Sequence, residues 1–284
     1  MSLFRLVDPG DLAAPTIVAA FDSWVDAGSA SSTAAAILAD GARRVAAFDG
    51  DRLFDYRARR PTLEIADGRL TSLTWPELTV RATQAGGQDL LVLTGGEPDY
   101  RWREFADSVV ELCLRLGVAS WVSLGAIPAA VPHTRPVPIL GTASGPDLLR
   151  GGVAPGPDGL LRVPGACISV LEMAVAAAGI PAVGYFAQVP HYVSGPYPPA
   201  AVALLRALGT HLGVELPMAA LEQEARQLRT RLDAAAALEE TTRTYVERLE
   251  SMVDEERLPS GEELIGEIER FLRERGNEGT QRSS

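Results

Sequence analysis

Up to about Pro217 the chain alternates short, β-branched apolar runs with longer stretches whose apolar residues recur at helical spacing. The runs are Thr16–Phe21, Arg44–Phe48, Asp89–Thr94, Ser120–Ala126 and Ala182–Gln188. Alternation of this kind predicts a parallel sheet covered by helices on both faces. Helices are predicted over Ser29–Asp40, Arg101–Leu116, Ile168–Ala178 and Pro198–Leu212. In the second, Trp102, Phe105, Ala106, Val109, Leu112, Cys113 and Leu116 form one stripe and Gly117 supplies the stop. The third ends at Gly179-Ile180-Pro181, a glycine-then-proline termination.

Two segments interrupt the alternation. Thr62–Trp75 reads as a hairpin turning at Asp67-Gly68, a pair that favours a tight primed turn between strands. The stretch from Pro132 to Pro164 is so dense in proline and glycine that a long loop is expected, and loops of that size in compact domains tend to be functional.

From Met218 the periodicity changes. Leu221, Ala225, Leu228, Leu232, Ala235, Val246, Leu249 and Val253 follow spacings of four and three, with Glu239 and Thr242 as polar interruptions of the seam. The expectation is one helix to Glu256, about 58 Å long at 1.5 Å per residue. A break at Leu258-Pro259-Ser260-Gly261 then precedes a shorter helix striped by Leu264, Ile265, Ile268, Phe271 and Leu272. The expected organisation is an α/β domain over residues 1–216, then a C-terminal helical hairpin and short disordered tail over 217–284. A two-helix unit with one apolar stripe buries little alone, so Leu221, Leu228, Leu232, Val246, Leu249 and Val253 are candidate interface residues. The competing reading is a solvated pair packed on its own core.

Charge sharpens this division. The chain carries a net −11, and from Pro217 onward it has 16 acidic and 10 basic residues, net −6 in about a quarter of its length. Without a basic run it lacks the electrostatic footprint for gripping phosphate backbones, so no nucleic-acid partner is expected. All 26 basic residues are arginine. Lysine chemistry, from Schiff bases to phosphate-loop contacts, is therefore excluded. No apolar run is long enough to span a bilayer and the first residues lack the parts of a signal peptide, so the expected location is cytoplasmic, away from membranes. Cys113 and Cys167 lie in apolar patterns without metal-ligand spacing and read as buried thiols. No metal site or cofactor is expected.

Ligands of open parallel sheets bind beyond the carboxyl ends of the strands. There the chain places Asp22 and Asp26 after the first run, Gly95, Gly96 and Asp99 after the third, His133 and Arg135 after the fourth, and His191 after the fifth. Asp22 and Asp26 are possible paired carboxylates, or turn and cap residues. Gly95-Gly96 would let backbone amides approach an anion, or form a tight turn. Val-Pro-His occurs twice, at His133 and His191. If those loops converge, two imidazoles with Arg135, Asp22 and Asp26 make a polar pocket for an anionic or carbonyl-bearing small molecule. Otherwise each ring hydrogen-bonds its own loop. No nucleophile elbow accompanies them.

Four of these segments taken together, Asp22-Ser-Trp-Val-Asp-Ala-Gly28, Glu97-Pro-Asp-Tyr-Arg-Trp102, Pro132-His-Thr-Arg-Pro136 and Pro190-His-Tyr-Val193, resemble the proteasome-assembly-chaperone superfamily. The likeness is to its bacterial, actinobacterial-type members, similar to proteasome assembly chaperone two. It covers about residues 1–256 and implies a three-layer α/β/α fold with phosphorylase- and hydrolase-like topology, in members that self-associate. Archaeal and eukaryotic relatives assist assembly of proteasome α-subunits, often through a C-terminal hydrophobic-Tyr-X tail, whereas this chain reads Asn277-Glu-Gly-Thr-Gln-Arg-Ser-Ser284. The expected function is a non-catalytic assembly chaperone or scaffold, acting as a homo-oligomer and engaging proteasome subunits or another protein. The alternative is a small-molecule binder or hydrolase- or phosphorylase-like enzyme using the strand-end loops.

Overall fold

The computed structural model describes residues 2–157 and 159–254 of the 284-residue chain. Its centre is four parallel strands: β2 (Thr16–Asp22), β7 (Gln88–Gly96), β8 (Ser120–Ala129) and β10 (Ala182–Pro190), in the order β7-β2-β8-β10. Antiparallel strands extend both sides. β6 (Leu78–Ala85), β3 (Arg43–Phe48) and β1 (Phe4–Leu6) follow beyond β7, and β9 (Ile139–Ala143) lies beyond β10. The sheet is thus eight-stranded and mostly parallel at its core, but the Arg44–Phe48 run is antiparallel to both neighbours. β9 falls inside the stretch expected to be loop: it bonds only one strand, so a short edge segment suffices despite the flanking prolines.

Each central strand is apolar on both faces because both are covered. Ile17, Ala19 and Phe21 of β2 point into a core with α3 (Trp102–Arg115) and α4 (Cys167–Ala177). Val18 and Ala20 point into a second core with α1 (Ala30–Ala39) and α5 (Pro198–Leu212). These two cores make the three layers. The short α2 (Gly50–Leu53) follows β3, and Leu53 is buried in the first core.

β4 (Thr62–Ala66) and β5 (Arg69–Thr74) form a separate two-stranded sheet, turning at Asp67 and Gly68 with φ of 49° and 76°. Positive φ at both central residues is the requirement of the primed turn that the Asp-Gly pair predicts.

The expected 39-residue helix is instead two. α6 (Ala219–Leu238) ends at Glu239, whose backbone is extended at φ −122° and ψ 114°, and α7 (Glu240–Asp254) begins at once. The polar interruption of the seam is the break itself. Glu239 accepts hydrogen bonds through its two carboxylate oxygens from the hydroxyls of Thr241 and Thr242, at 3.0 and 2.8 Å. They tie the Glu239 side chain to the first turn of the new helix, whose first backbone bond runs from the Arg243 N–H to the Glu239 carbonyl at 3.0 Å. The predicted break at 258–261, the shorter helix beyond it and the tail lie outside the described residues. Leu221 is buried in the second core, with Leu228 and Leu232 packed against it. Val246 and Leu249 of α7 are also buried, and Val253 is half-buried. The stripe expected to meet another molecule is therefore largely covered by the chain itself.

Candidate functional site

The strand-end residues gather into two separate clusters. The first is built around Arg59, which precedes β4. Its Nη1 lies 3.5 Å from Asp22 Oδ2, its Nη2 donates to the Asp22 carbonyl at 3.3 Å, and its Nε lies 3.8 Å from Asp99 Oδ1. Asp99 accepts the backbone N–H of Asp55 at 2.8 Å, while the N–H groups of Asp99 and Tyr100 donate to the Leu53 carbonyl. These bonds stitch the 53–59 loop to the end of β7. Asp99 does not cap α3, which starts after Arg101 in a left-handed conformation.

Glu97 of the same loop accepts the N–H of Cys167 at 2.6 Å and so supplies the anion at the start of α4. Burial pushes its carboxyl above the ordinary range, against the lowering effects of that bond and of Arg59. A helix N-terminus often activates a thiol. Here burial first, and the Glu97 charge second, push the Cys167 thiol up. Cys113 is also buried, and burial raises it to about 12.

Gly95 and Gly96 serve close packing. A Cβ on Gly95, whose φ is 146°, would meet the Glu77 carbonyl oxygen at 2.0 Å, and one on Gly96 would meet Arg59 Nη1 at 2.8 Å. Neighbouring backbone and a guanidinium occupy the space an anion would need. Asp26 is a helix-start residue: its Oδ1 accepts the N–H groups of Ser31 and Ser32 and the Ser31 hydroxyl, at 2.8, 3.1 and 2.7 Å. Burial raises its pKa despite these stabilising contacts with Ser31 and Ser32. Asp22 and Asp26 are therefore held by different partners, and neither shares its partners with a histidine.

The second cluster joins the two Val-Pro-His segments through Tyr192. The Tyr192 ring lies 5.8 Å from the rings of both His133 and His191, edge-on to each. Its hydroxyl oxygen accepts the His133 N–H at 2.7 Å and also lies 2.7 Å from Nδ1. The imidazole tautomer sets which of this second pair is the donor. Nε2 is 3.2 Å from Asp233 Oδ1 but out of line for a hydrogen bond. The His133 side chain is only 2% exposed, and burial lowers its pKa despite the Asp233 charge. His191 is fixed by the Ala129 carbonyl at Nδ1 (3.0 Å) and the Tyr245 hydroxyl at Nε2 (3.1 Å).

What these segments hold is the C-terminal helix pair. Arg229 of α6 donates to the His133 carbonyl at 2.9 Å and pairs with Asp233. The Thr134 hydroxyl donates to Glu250 of α7. Arg135 grips Asp254 with two nitrogens, at 2.7 and 3.1 Å, and reaches Glu250 at 3.2 Å. Tyr245 of α7 packs edge-on against both His191 and Tyr192. The histidines thus converge, with Arg135 nearby, but as a latch for α6 and α7 rather than around Asp22 and Asp26.

A family model described as "PAC2 family" matches residues 20–236, which takes in the Arg59 cluster, both Val-Pro-His segments and nearly all of α6, but not α7. The chain belongs to the PAC2 family. Among solved structures it is similar to a Corynebacterium glutamicum protein of unknown function, at 32% identity and TM-score 0.83 over 89% of this chain and 98% of that one. A proteasome-assembly chaperone homologue of Mycobacterium tuberculosis matches at 36% identity and TM-score 0.75, over 81% and 99%. A PAC2 family protein of Streptomyces avermitilis matches at 37% identity and TM-score 0.74, over 82% and 99%. No protein of curated function matches. Within this PAC2 chain, Arg59, Tyr192, Asp233 and Tyr245 are the functional-looking side chains that sequence reasoning did not single out. Only Tyr192 carried a signal, since it sits inside the Pro190-His-Tyr-Val193 segment. Among the described residues no group of three or more His, Cys, Asp or Glu is arranged to hold a metal, and no helix is long and apolar enough to cross a membrane.

Proposed function

We propose that this PAC2-family chain is a non-catalytic assembly chaperone or scaffold that works as a homo-oligomer, with proteasome components as its protein partners. The observation that carries this reading is the uncovered face of the β4–β5 hairpin. Its Leu63, Ile65, Leu70 and Leu73 are 45%, 62%, 72% and 46% exposed. Leu63 opposes Leu73 and Ile65 opposes Leu70, so all four lie on one face, while the Glu64–Ser72 pair lies on the other. An isolated two-stranded sheet is marginal in water and needs an apolar partner. From Arg57 to Glu77 the chain has four arginines against Glu64, Asp67 and Glu77, a near-neutral balance in a molecule of net −11. A second copy can meet this face without the repulsion its acidic surface would otherwise impose. The relative described as a proteasome-assembly chaperone homologue supports the choice of partner.

The test uses the full chain with Leu63, Ile65, Leu70 and Leu73 all changed to Thr, which keeps strand propensity and removes the apolar face. Light scattering should show the wild type as an oligomer and the variant with a lower mass. Purification from a proteasome-bearing host should recover α-subunits or assembly intermediates with the wild-type chain. A monomeric wild type, or a clean preparation together with unchanged proteasome assembly on deletion, overturns the reading.

A further inference from the structure

α5, α6 and the 133–139 loop line an open groove of about 780 Å³. Its walls are apolar: Val137, Ile139 and Val153 on one side, Val202 and Ala203 of α5 on the other. Its rim is cationic. Arg135, Arg206, Arg226 and Arg229 line it against a single acidic residue, Glu222. An acidic chain of net −11 has thus gathered four guanidinium groups around one apolar trough.

The four are not equivalent. Arg135 is neutralised by Asp254 and Glu250, and Arg229 by Asp233, so the positive charge open to a ligand rests with Arg206 and Arg226. Arg206 of α5 and Arg226 of α6 flank Glu222: Arg206 pairs with it at 2.6 Å, and Arg226 follows it by one helical turn with no ion pair among the described residues. An incoming anion would find one unpaired guanidinium and a second that can exchange Glu222 for a ligand oxygen.

We propose that this groove binds a small anionic amphiphile, a molecule with an apolar chain laid along the α5–α6 trough and a carboxylate or phosphate head held by Arg206 and Arg226. The volume suits a small ligand, for which cavities run from roughly 300 to 1,000 Å³, rather than a protein partner. Apolar walls with cations at the rim match an apolar body with an anionic end. The proposal does not rest on the chaperone reading, since it concerns a different surface from the hairpin.

The experiment uses the full chain and a dansyl-labelled undecanoate whose emission rises in an apolar site. Saturable binding is expected, displaced by decanoate or decyl phosphate, the better of the two identifying the head group. Decanol and decylamine should displace at least about tenfold less well, because they lose the arginine contacts. Arg206→Gln with Arg226→Gln should weaken the probe about tenfold or more. Ala203→Trp, at a half-buried position on the groove wall, should abolish binding by filling it; thermal melts and far-ultraviolet circular dichroism confirm that both variants fold. The proposal is overturned if the probe does not saturate, if decanol competes as well as decanoate, or if folded variants bind like wild type. It is equally overturned if a glutamate-rich amphipathic peptide displaces the probe and decanoate does not.

Discussion

Two amphipathic hairpins are attached to the α/β body, and they meet opposite fates. The helical pair α6–α7 has its apolar stripe covered by the rest of the chain: Leu221 enters the second core, and Leu249 is 1% exposed. The β4–β5 pair shows its apolar face to solvent. The sequence marks only the helical stripe as a candidate interface. What separates them is whether the fold supplies a cover. The 133–135 and 191–192 segments reach α6 and α7 with charged and aromatic side chains, and among the described residues no such latch reaches β4–β5 beyond the Tyr56–Trp75 contact at its base, 4.7 Å between centroids. Amphipathicity marks a surface that must be buried; it does not say by what.

The contrast can be broken most directly at its buried end. Leu249→Ala should lower stability by about 2–5 kcal/mol, the range for a well-packed leucine, as measured by urea unfolding of the full chain. A loss below about 0.5 kcal/mol would mean that α7 is not docked as described. Tyr192→Phe strips the hydroxyl that serves the His133 backbone N–H and Nδ1 and should cost about 1–3 kcal/mol, with faster hydrogen exchange in α6 and α7 but not in α3. The four-threonine hairpin variant should do the reverse: at low protein concentration its unfolding free energy stays within about 0.5 kcal/mol of wild type, while its mass falls. A large stability loss there would show that the hairpin face is covered within the chain after all.

The smallest effect is pH dependence through the latch. His133 is held below its ordinary pKa of about 6.5 by burial, so the unfolded chain takes up the proton first. Stability should therefore fall as pH drops below about 6.5 and level off below the depressed folded-state value. His211, also lowered by burial, adds to the same slope, whereas the raised carboxyls of Asp26 and Glu97 act with opposite sign toward the carboxylate range. Comparing wild type with His133→Gln between pH 7 and 5 isolates the latch; equal slopes would remove His133 from the account.

Much of the fold is legible because burial on both faces writes itself into the sequence. The five predicted runs became strands, and the four predicted helices cover them. Of the strands that escaped notice, β1 and β9 lie at the sheet edges and β6 is interior. β1 is three residues long and β9 is short and proline-flanked, but β6, Leu78-Thr-Val-Arg-Ala-Thr-Gln-Ala85, alternates and was readable. The clusters were half legible. Pro132–Pro136 and Pro190–Val193 stood out as segments, yet their partners Asp233, Tyr245, Glu250 and Asp254 are remote in the chain and look like any polar face of a helix. Arg59 sits among Arg57 and Arg60 with nothing to set it apart until Gly96 makes room for it.

One irregularity in the exposed hairpin has a reach beyond its size. The register slips by one residue beside Glu64, so that Thr71 is left over and bonds the Glu64 carbonyl at 3.1 Å. Leu70 and Leu73 are three apart, an interval proper to a helix, and in a regular strand they would point to opposite sides. The slip converts that odd interval into an even one. A single leftover threonine therefore decides whether this arm exposes two apolar rungs on one face or only one, and a one-residue insertion or deletion there would redraw that face without touching the body of the protein.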